Sequence, residues 1–444
     1  MPSSRPPADG AGIDAMKRVA IVAAHFPPSN LTNVHRARLW GQFLPEFGWR
    51  PIIVTAHWDY YEEKLDWDLA KLVPPTLDVV RTRAFPTRPL RLVGDLGVRA
   101  LWWHYRALCA LARSGGLDFV HITIPSNFSA LLGRLVHAAT GVPYGIDYND
   151  PWVHRWPGTE KLFSRAWISC KLGEWLEPWA VRDARLITGV APLYFEDVLA
   201  RNPALRGRAV AAAMPHGACE EDFQQVRSSK RKLFLFDPRD GRFHFLYAGA
   251  LLPKGRAVLQ RLLEGLSHLA RSRKEIAGCI RLHFVGTGRA LEDPQGFNVM
   301  PYVERLGLQA YVDEHPHRIA YVDVLNHLCS ASGILVLGST EKHYTPSKIF
   351  QAALSKRPVF AMLHRDSTAV GLIRRGRVGT VLTLTEDALP GIEETALEIE
   401  RFVTGTEYEQ ERVDWSVFDE TSARQSARAL ADAMDQAVAK PHGR

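Results

Sequence analysis

A chain of 444 residues exceeds what one ordinary hydrophobic core organises and predicts two large domains, while 46% hydrophobic and 23% charged residues exclude a disordered or fibrous class. Five scattered cysteines (Cys109, Cys170, Cys219, Cys279, Cys329), odd in number and without CxxC spacing, argue against a disulfide or zinc framework and for a reducing compartment. The net charge of +7 is uneven: residues 1–215 hold 25 Lys and Arg against 19 Asp and Glu, and the remainder 30 against 29. That leaves open an anionic neighbour for the first half, or plain solubility charge.

Residues 1–15 are polar, lack an apolar core, and read as a disordered leader with Met16 as a possible true start. No apolar run approaches the roughly 18 residues of a membrane span. Strand-like runs then alternate with helix-like ones. Strands are predicted at 18–24, 51–56, 77–82, 119–124 and 143–147, with helices at 33–47, 96–113 and 127–140 between them. This is the βαβ rhythm of a parallel sheet covered on both faces.

The rhythm pauses at 151–183, which carries five of the twelve tryptophans: Trp152, Trp156, Trp167, Trp175 and Trp179. A helix over 164–183, strand 184–190, helix 192–201 and strand 209–213 follow. The polar, basic stretch 224–242 reads as an interdomain loop. A second rhythm opens at Phe243 with strand 243–249. It runs through helix 255–272, strand 280–285, helix 300–307, strand 317–321, helix 322–330, strand 333–338, helix 347–355 and strand 358–363. Residues 422–438 form an amphipathic helix with Ala427, Leu430, Ala431 and Met434 on one face.

Ligands of open α/β sheets sit beyond the carboxyl ends of strands, so the loops there are the places to seek chemistry. Thr345-Pro346-Ser347-Lys348 starts a helix. Thr345 or Ser347 can cap it, its free N–H groups favour an anion, and Lys348 adds a mobile cation. Gly286-Thr287-Gly288 follows a strand but falls short of a full dinucleotide fingerprint, and a bare turn is the other reading. Asp147, Asn149 and Asp150 end a strand, where carboxylates and an amide can hold sugar hydroxyls; a capping or loop-stabilising role is the alternative, and Asp147 reads as structural. Arg36 and Arg38, on the first helix, read as surface residues, with reach into the cleft as the alternative. There is no HExxH, no His/Cys cluster and no DxD between strand signals, so no metal is indicated.

Taken in order, His25-Phe26-Pro27-Pro28, Asp118–His121, Gly141–Trp152, Pro215-His216-Gly217, Tyr247–Gly255, Phe284–Gly288 and Thr345–Lys348 resemble GT-B-fold glycosyltransferases of the large group called family 4, in a branch with a Pro-Ser-Lys turn. The resemblance spans residues 17–440. It implies an α/β GT-B fold: two doubly wound Rossmann-like domains facing a cleft, with a C-terminal helix returning to the first. The expected division is leader 1–15, acceptor domain 16–215, nucleotide-sugar domain 216–410, and a segment 411–444 whose crossover helix packs on the first domain.

The same resemblance assigns roles. Asn30, with Thr32 and Asn33, stands in the first-strand loop where the family has glycines. Asp150 matches the aspartate near the reacting centre, with Asn149 beside it. Gly249, Gly286 and Gly288 let the backbone approach the nucleotide, and the stretch around Arg318 reads the nucleobase edge. Lys254 matches the diphosphate lysine, whereas the family's arginine after Gly249 is replaced by Ala250 and Leu251, which makes Lys348 the second cation. In the family's Glu-x7-Glu element, His343 and Gln351 occupy the two glutamate positions, with Glu341 nearby. Thr345 and Ser347 complete the expected substrate set, and Asp150 and Lys254 are the expected catalytic pair.

The implied reaction is a retaining hexosyl transfer from a nucleotide-diphosphate sugar to an acceptor hydroxyl in cell-surface glycan or glycolipid synthesis. The sugar nucleotide is donor substrate, and no cofactor is called for. A lipid-linked or polysaccharide acceptor, a cytoplasmic location on the inner face of a membrane, and no nucleic acid complete the expectation. Segment 81–113, with seven arginines (Arg81, Arg83, Arg88, Arg91, Arg99, Arg106, Arg113) against Asp95, could rest on an anionic bilayer, with the Trp-rich 151–183 adding anchors or shaping an acceptor pocket; the alternative for both is core packing with a solvated basic face. Rival readings are a non-catalytic GT-B relative acting as scaffold or subunit, and a nucleotide-sugar 2-epimerase.

Overall fold

The computed structural model describes residues 16–87, 94–153, 161–214, 217–251, 253–288, 296–340, 348–405 and 408–440. The expected leader 1–15 lies outside these residues, as do Arg88, Leu90, Arg91, Val93, Trp156, Pro215, His216 and Glu341. The chain divides into two compact units, Met1–His216 with Ala423–Arg444, and Gly217–Ser422.

The first unit is built on β1 (Lys17–Val22), β2 (Trp49–Ala56), β3 (Asp78–Thr82), β4 (Phe119–Ile124), β5 (Tyr144–Tyr148), β6 (Leu186–Gly189) and β7 (Val210–Ala213). All pair in parallel, in the order β3-β2-β1-β4-β5-β6-β7. Every residue of β4 and β5 is buried, the polar His121, Thr123 and Asp147 included, because helices cover both faces of a parallel sheet. Asp95 starts the helix Leu96–Arg113 by accepting from Val98 N–H at 2.9 Å, and Ser164 starts Arg165–Val181 by accepting from Trp167 N–H at 3.1 Å.

The helix Ala423–Ala439 returns to this unit and lies against Val34–Phe43. Its Ala427, Leu430, Ala431 and Met434 are buried. Trp40 Nε1 donates to Ser426 Oγ (3.1 Å) and Trp49 Nε1 to Asp435 Oδ1 (3.1 Å).

The second unit holds β8 (Phe243–Ala248), β9 (Ile280–Val285), β10 (Val312–His315), β11 (Gly333–Leu337), β12 (Val359–His364) and β13 (Gly379–Leu384), also all parallel, in the order β10-β9-β8-β11-β12-β13. One core side is filled by Phe245, Leu259, Leu262, Phe284, Leu335, Phe360 and Phe402.

Two expectations are corrected. The strand expected at 317–321 is displaced to β10: Val312 pairs with Leu282 and His315 with Val285, whereas Tyr321 already belongs to the helix Tyr321–Ser330. The stretch 224–242 is not an interdomain loop. It lies inside the second unit, and its start belongs to the helix Glu220–Ser228, which buries Phe223 and Val226. Beyond 363, where the sequence reading assigns nothing before 422, the structure adds β13 and the helices Thr368–Gly376 and Ile392–Gly405.

Candidate functional site

In the second unit the strand order reverses between β8 and β11, and loops leaving two such strands diverge to open a crevice at their carboxyl ends. Gly249 follows β8 with φ +125°, and its N–H donates to Val285 O at 2.7 Å. A Cβ there would stand 2.5 Å from Lys348 Cε, so only glycine lets the lysine stem lie against this backbone. Lys348 opens the helix Lys348–Leu354 just beyond β11. Its Nζ donates to Tyr247 Oη (2.6 Å) and Ala250 O (3.3 Å), and sits 4.0 Å from the centroid of the Tyr247 ring. The side chain keeps some solvent contact, yet protein crowds the ammonium and desolvation brings it down to about 7.

Gly286 adjoins this lysine seat. With φ +70°, its Cα would carry a Cβ 3.9 Å from Gly249 Cα and 3.9 Å from Arg318 Cγ. Gly288 N–H donates to Pro316 O at 3.0 Å, two residues before the exposed Arg318. The structure therefore brings Gly249, Gly286, Arg318 and Lys348 into one cluster, with Gly288 at its edge. Lys254 lies in the turn Pro253–Gly255, ahead of the helix Arg256–Ser272. Its side chain is exposed and its carbonyl accepts from Thr340 N–H at 3.4 Å, which ties this turn to the loop after β11. Gln351 is half-buried three residues past Lys348. His343, Thr345 and Ser347 lie outside the described residues.

In the first unit, the loop after β5 carries Asn149 and Asp150. Asn149 is buried, and both its N–H (3.2 Å) and its Nδ2 (2.9 Å) donate to Ile124 O at the end of β4. Its Oδ1 is buried with no hydrogen-bond partner among the described residues. Asp150 is exposed, but crowding by protein raises its carboxyl to about 6; water reaching the carboxylate works against that rise. Asn30 is half-buried in the loop after β1. That loop is pinned rather than open. Glu63 Oε1 accepts from Ser29 Oγ and pairs with His25 Nδ1 at 2.8 Å, Arg81 donates to Pro27 O (2.7 Å), and Asp66 N–H donates to Pro28 O (2.6 Å). Burial would raise Glu63, but hydrogen bonds from His25 and Ser29, with the His25 charge, hold it at about 2.

Arg36 and Arg38 are buried, which corrects their surface assignment. Arg36 grips Asp147 with two bonds (Nε to Oδ2 2.6 Å, Nη2 to Oδ1 2.8 Å) and donates to Met214 O (2.6 Å). Thr188 Oγ1 donates to Asp147 at 2.6 Å. Burial would raise this carboxyl, yet the Arg36 charge wins and lowers it. Asp147 thus fastens the first helix to β5 and β6. Sequence reasoning missed Tyr247, the seat of Lys348, because a tyrosine ending a buried strand looks like core. It also missed Glu314, which accepts from the N–H groups of Asn298 (2.9 Å), Val299 (3.0 Å) and Met300 (2.9 Å) and so anchors the start of the helix Met300–Leu306. Among the described residues no group of three or more His, Cys, Asp or Glu is placed to hold a metal ion, and no helix is long and apolar enough to cross a membrane.

Comparison with solved structures decides the architecture. Sucrose-phosphate synthase from Thermosynechococcus elongatus matches 94% of this chain and 94% of its own, with a TM-score of 0.56 at 14% identity. HepE of Anabaena, solved with UDP and glucose, matches over 94% and 95% (TM-score 0.54, 14% identity). The trehalose-6-phosphate synthase OtsA matches over 95% and 99% (TM-score 0.62, 10% identity). The chain has a GT-B fold. No protein-family model matches it, and no curated protein matches its sequence. At these identities the GT-B likeness speaks for the fold alone, so function has to be argued from the residues.

Proposed function

We propose that this GT-B chain transfers a sugar from a nucleoside-diphosphate sugar to an acceptor hydroxyl. The observation that carries the reading is Lys348, held against Gly249 at the strand-order reversal with Gly286 and Arg318 alongside. A crowded cation, glycines that admit close backbone approach and a second cation together suit a diphosphate. A nucleoside diphosphate and glucose bound to HepE are consistent with this ligand class. In the reaction the C–O bond between sugar and diphosphate breaks with its electron pair moving to the phosphate oxygen, and the acceptor oxygen bonds the anomeric carbon. Lys254 and Lys348 stabilise the charge that grows on the leaving oxygen. Ser347 and Thr345 are assigned to the same phosphates, His343 and Gln351 to sugar or ribose hydroxyls, and Asn30 to the first-strand loop's contact.

On the first unit, the buried Asn149 Oδ1 without a partner suits a hydroxyl donor. Asp150, ionised above about pH 6, is assigned to accept the acceptor's proton. The acceptor is lipid-linked or a polysaccharide, the pathway is cell-surface glycan or glycolipid assembly, and the location is the cytoplasmic face.

A donor screen by mass spectrometry, with a pool of nucleotide sugars and polyprenyl-phosphate acceptors, tests the reading; Lys254→Ala should fold normally and lose about 100-fold or more in turnover. Unchanged turnover would refute the assignment. Gln351 and Ala250 in place of the family's charged residues favour one rival, a non-catalytic GT-B subunit, which calorimetry would reveal by absence of binding to any nucleoside diphosphate. Isomerisation of a UDP-sugar without acceptor would instead indicate an epimerase.

A further inference from the structure

The helix Arg165–Val181 has one side packed on the first unit and an apolar side facing outward. One side, with Gly173, Glu177, Ala180 and Val181, is buried in the first unit. The other carries Ile168, Leu172, Trp175 and Trp179, spaced four, three and four residues apart, which aligns them on one outward stripe. All four are exposed, Trp175 by 75%, and Phe163 just ahead of the helix by 73%. A helix of a water-soluble domain ordinarily turns a polar face outward, so this stripe implies an apolar neighbour.

We infer that this stripe is a docking surface for an anionic lipid bilayer. Charge surrounds it in the right sense. Lys171 and Arg182, both exposed, fall beside the stripe at helical spacing, and exposed Lys161 precedes it. The acids near them are engaged: Glu174 pairs with Lys171 (2.6 Å), Glu177 with Arg201 (2.9 Å), and Asp183 with Arg134 (3.2 Å), whose guanidinium also lies 4.6 Å over Trp179. Tryptophan, with an apolar body and one N–H, favours the level of the headgroups, and flanking lysines and arginines reach their phosphates. A second copy of the chain fits less well, because a twofold pairing would set the same basic flank against itself.

Segment 81–113, by contrast, spends part of its basic character internally. Arg99 is buried on Phe85 O (2.9 Å) and Glu62 (3.2 Å), and Arg81 donates to Pro27 O. The aligned, exposed apolar stripe is what assigns the docking surface to the helix Arg165–Val181.

The test is co-sedimentation of the full chain with vesicles of phosphatidylcholine containing about one-third phosphatidylglycerol. No glycolipid or nucleotide is present, so the result is independent of the sugar-transfer reading. Binding should be strong at low salt and weaken at high salt. Trp175→Ser and Leu172→Ser should each lower partitioning by about tenfold or more. Lys171→Gln and Arg182→Gln should each lower it about fivefold on anionic vesicles only. The Trp175→Ser variant should melt with the parent, because Trp175 is 75% exposed, and melts of the other variants identify any loss of binding that comes from unfolding. The inference is overturned by absence of vesicle binding at low salt, by binding that Trp175→Ser and Leu172→Ser leave intact, or by self-association that these substitutions abolish in a protein that ignores lipid.

Discussion

With the Lys348 ammonium near 7, about half the molecules carry it charged at neutral pH. A diphosphate beside it favours the charged form, so UDP binding at about pH 8 should draw a proton from the buffer. Calorimetry in two buffers of different ionisation enthalpy should give different apparent enthalpies at about pH 8, converging at about pH 6. Lys348→Met should remove the difference; a buffer dependence that survives it would reassign the proton. The same residue leaves a mark on stability. Between about 7 and its ordinary 10.5 the unfolded chain binds more protons, so this group makes stability rise with pH in that window. Asp150 shifts the other way, from 3.8 to about 6, and its contribution to stability falls as pH rises through that range. As the proposed proton acceptor it should make transfer fade below about pH 6. Asp150→Asn should cost about 100-fold or more in turnover while UDP affinity holds, and equal loss of both would make it a binding residue instead. Of the residues singled out from sequence, Lys348 drew notice only through its place in an ordered set of motifs, since a lysine at a helix start is ordinarily solvated; the structure sets it against Gly249. Tyr247 and Glu63 were not legible, since their roles arise from partners 101 and 38 positions away.

Elements were legible in proportion to how fully they are buried. β4, β5, β8, β9 and β12 sit inside their sheets, and their stretches are mostly apolar and rich in β-branched or aromatic residues despite an occasional His, Arg or Asp. β10 is an edge strand with only Val312 buried, so Val-Asp-Glu-His carries no hydrophobic signal; pairing with β9 makes it a strand, while the more apolar Ile319–Tyr321 misled. The helix Glu220–Ser228 buries two apolar side chains among acids and glutamines, and composition alone describes a loop. The first helix shows the opposite hazard, because an arginine on it reads as surface until a buried carboxylate is found. Arg36 and Asp147 join the helix Val34–Phe43 to β5, and removing one partner leaves the other charged in the interior. Arg36→Met should therefore destabilise the first unit by about 3–5 kcal/mol in denaturant unfolding, with the paired change Arg36→Met and Asp147→Leu recovering much of it. A loss below about 1 kcal/mol for the single change would mean that water reaches the pair.

At the scale of the whole chain, the alternation of buried strands and covering helices was enough to predict two parallel sheets, because that pattern follows from burial on both faces and tolerates wide variation in sequence. Relatives in fold at 10–14% identity are what such tolerance permits. The handover between units was harder to place. A boundary is where contacts fail to cross, and the polar stretch 224–242 has the composition of a linker although Arg231 pairs with Asp323 (2.7 Å) and Phe234 N–H donates to His327 Nε2 (3.1 Å) within the second unit. The amphipathic pattern of the last helix was plain, and its consequence can be tested. Helix Ala423–Ala439 buries Leu430 and Met434 completely in the first unit, and also carries the acceptors for Trp40 and Trp49. Burial of each such side chain is worth about 1.5–3 kcal/mol, so losing the helix removes a large share of an ordinary domain's 5–15 kcal/mol or so. The second unit has a core of its own, formed by residues between Phe243 and Val403. Deleting 423–444 should leave residues 217–422 resistant to limited proteolysis while 16–214 is digested, as read by mass spectrometry of the surviving fragments. Equal resistance of both halves would mean that the first sheet holds its core without the returning helix.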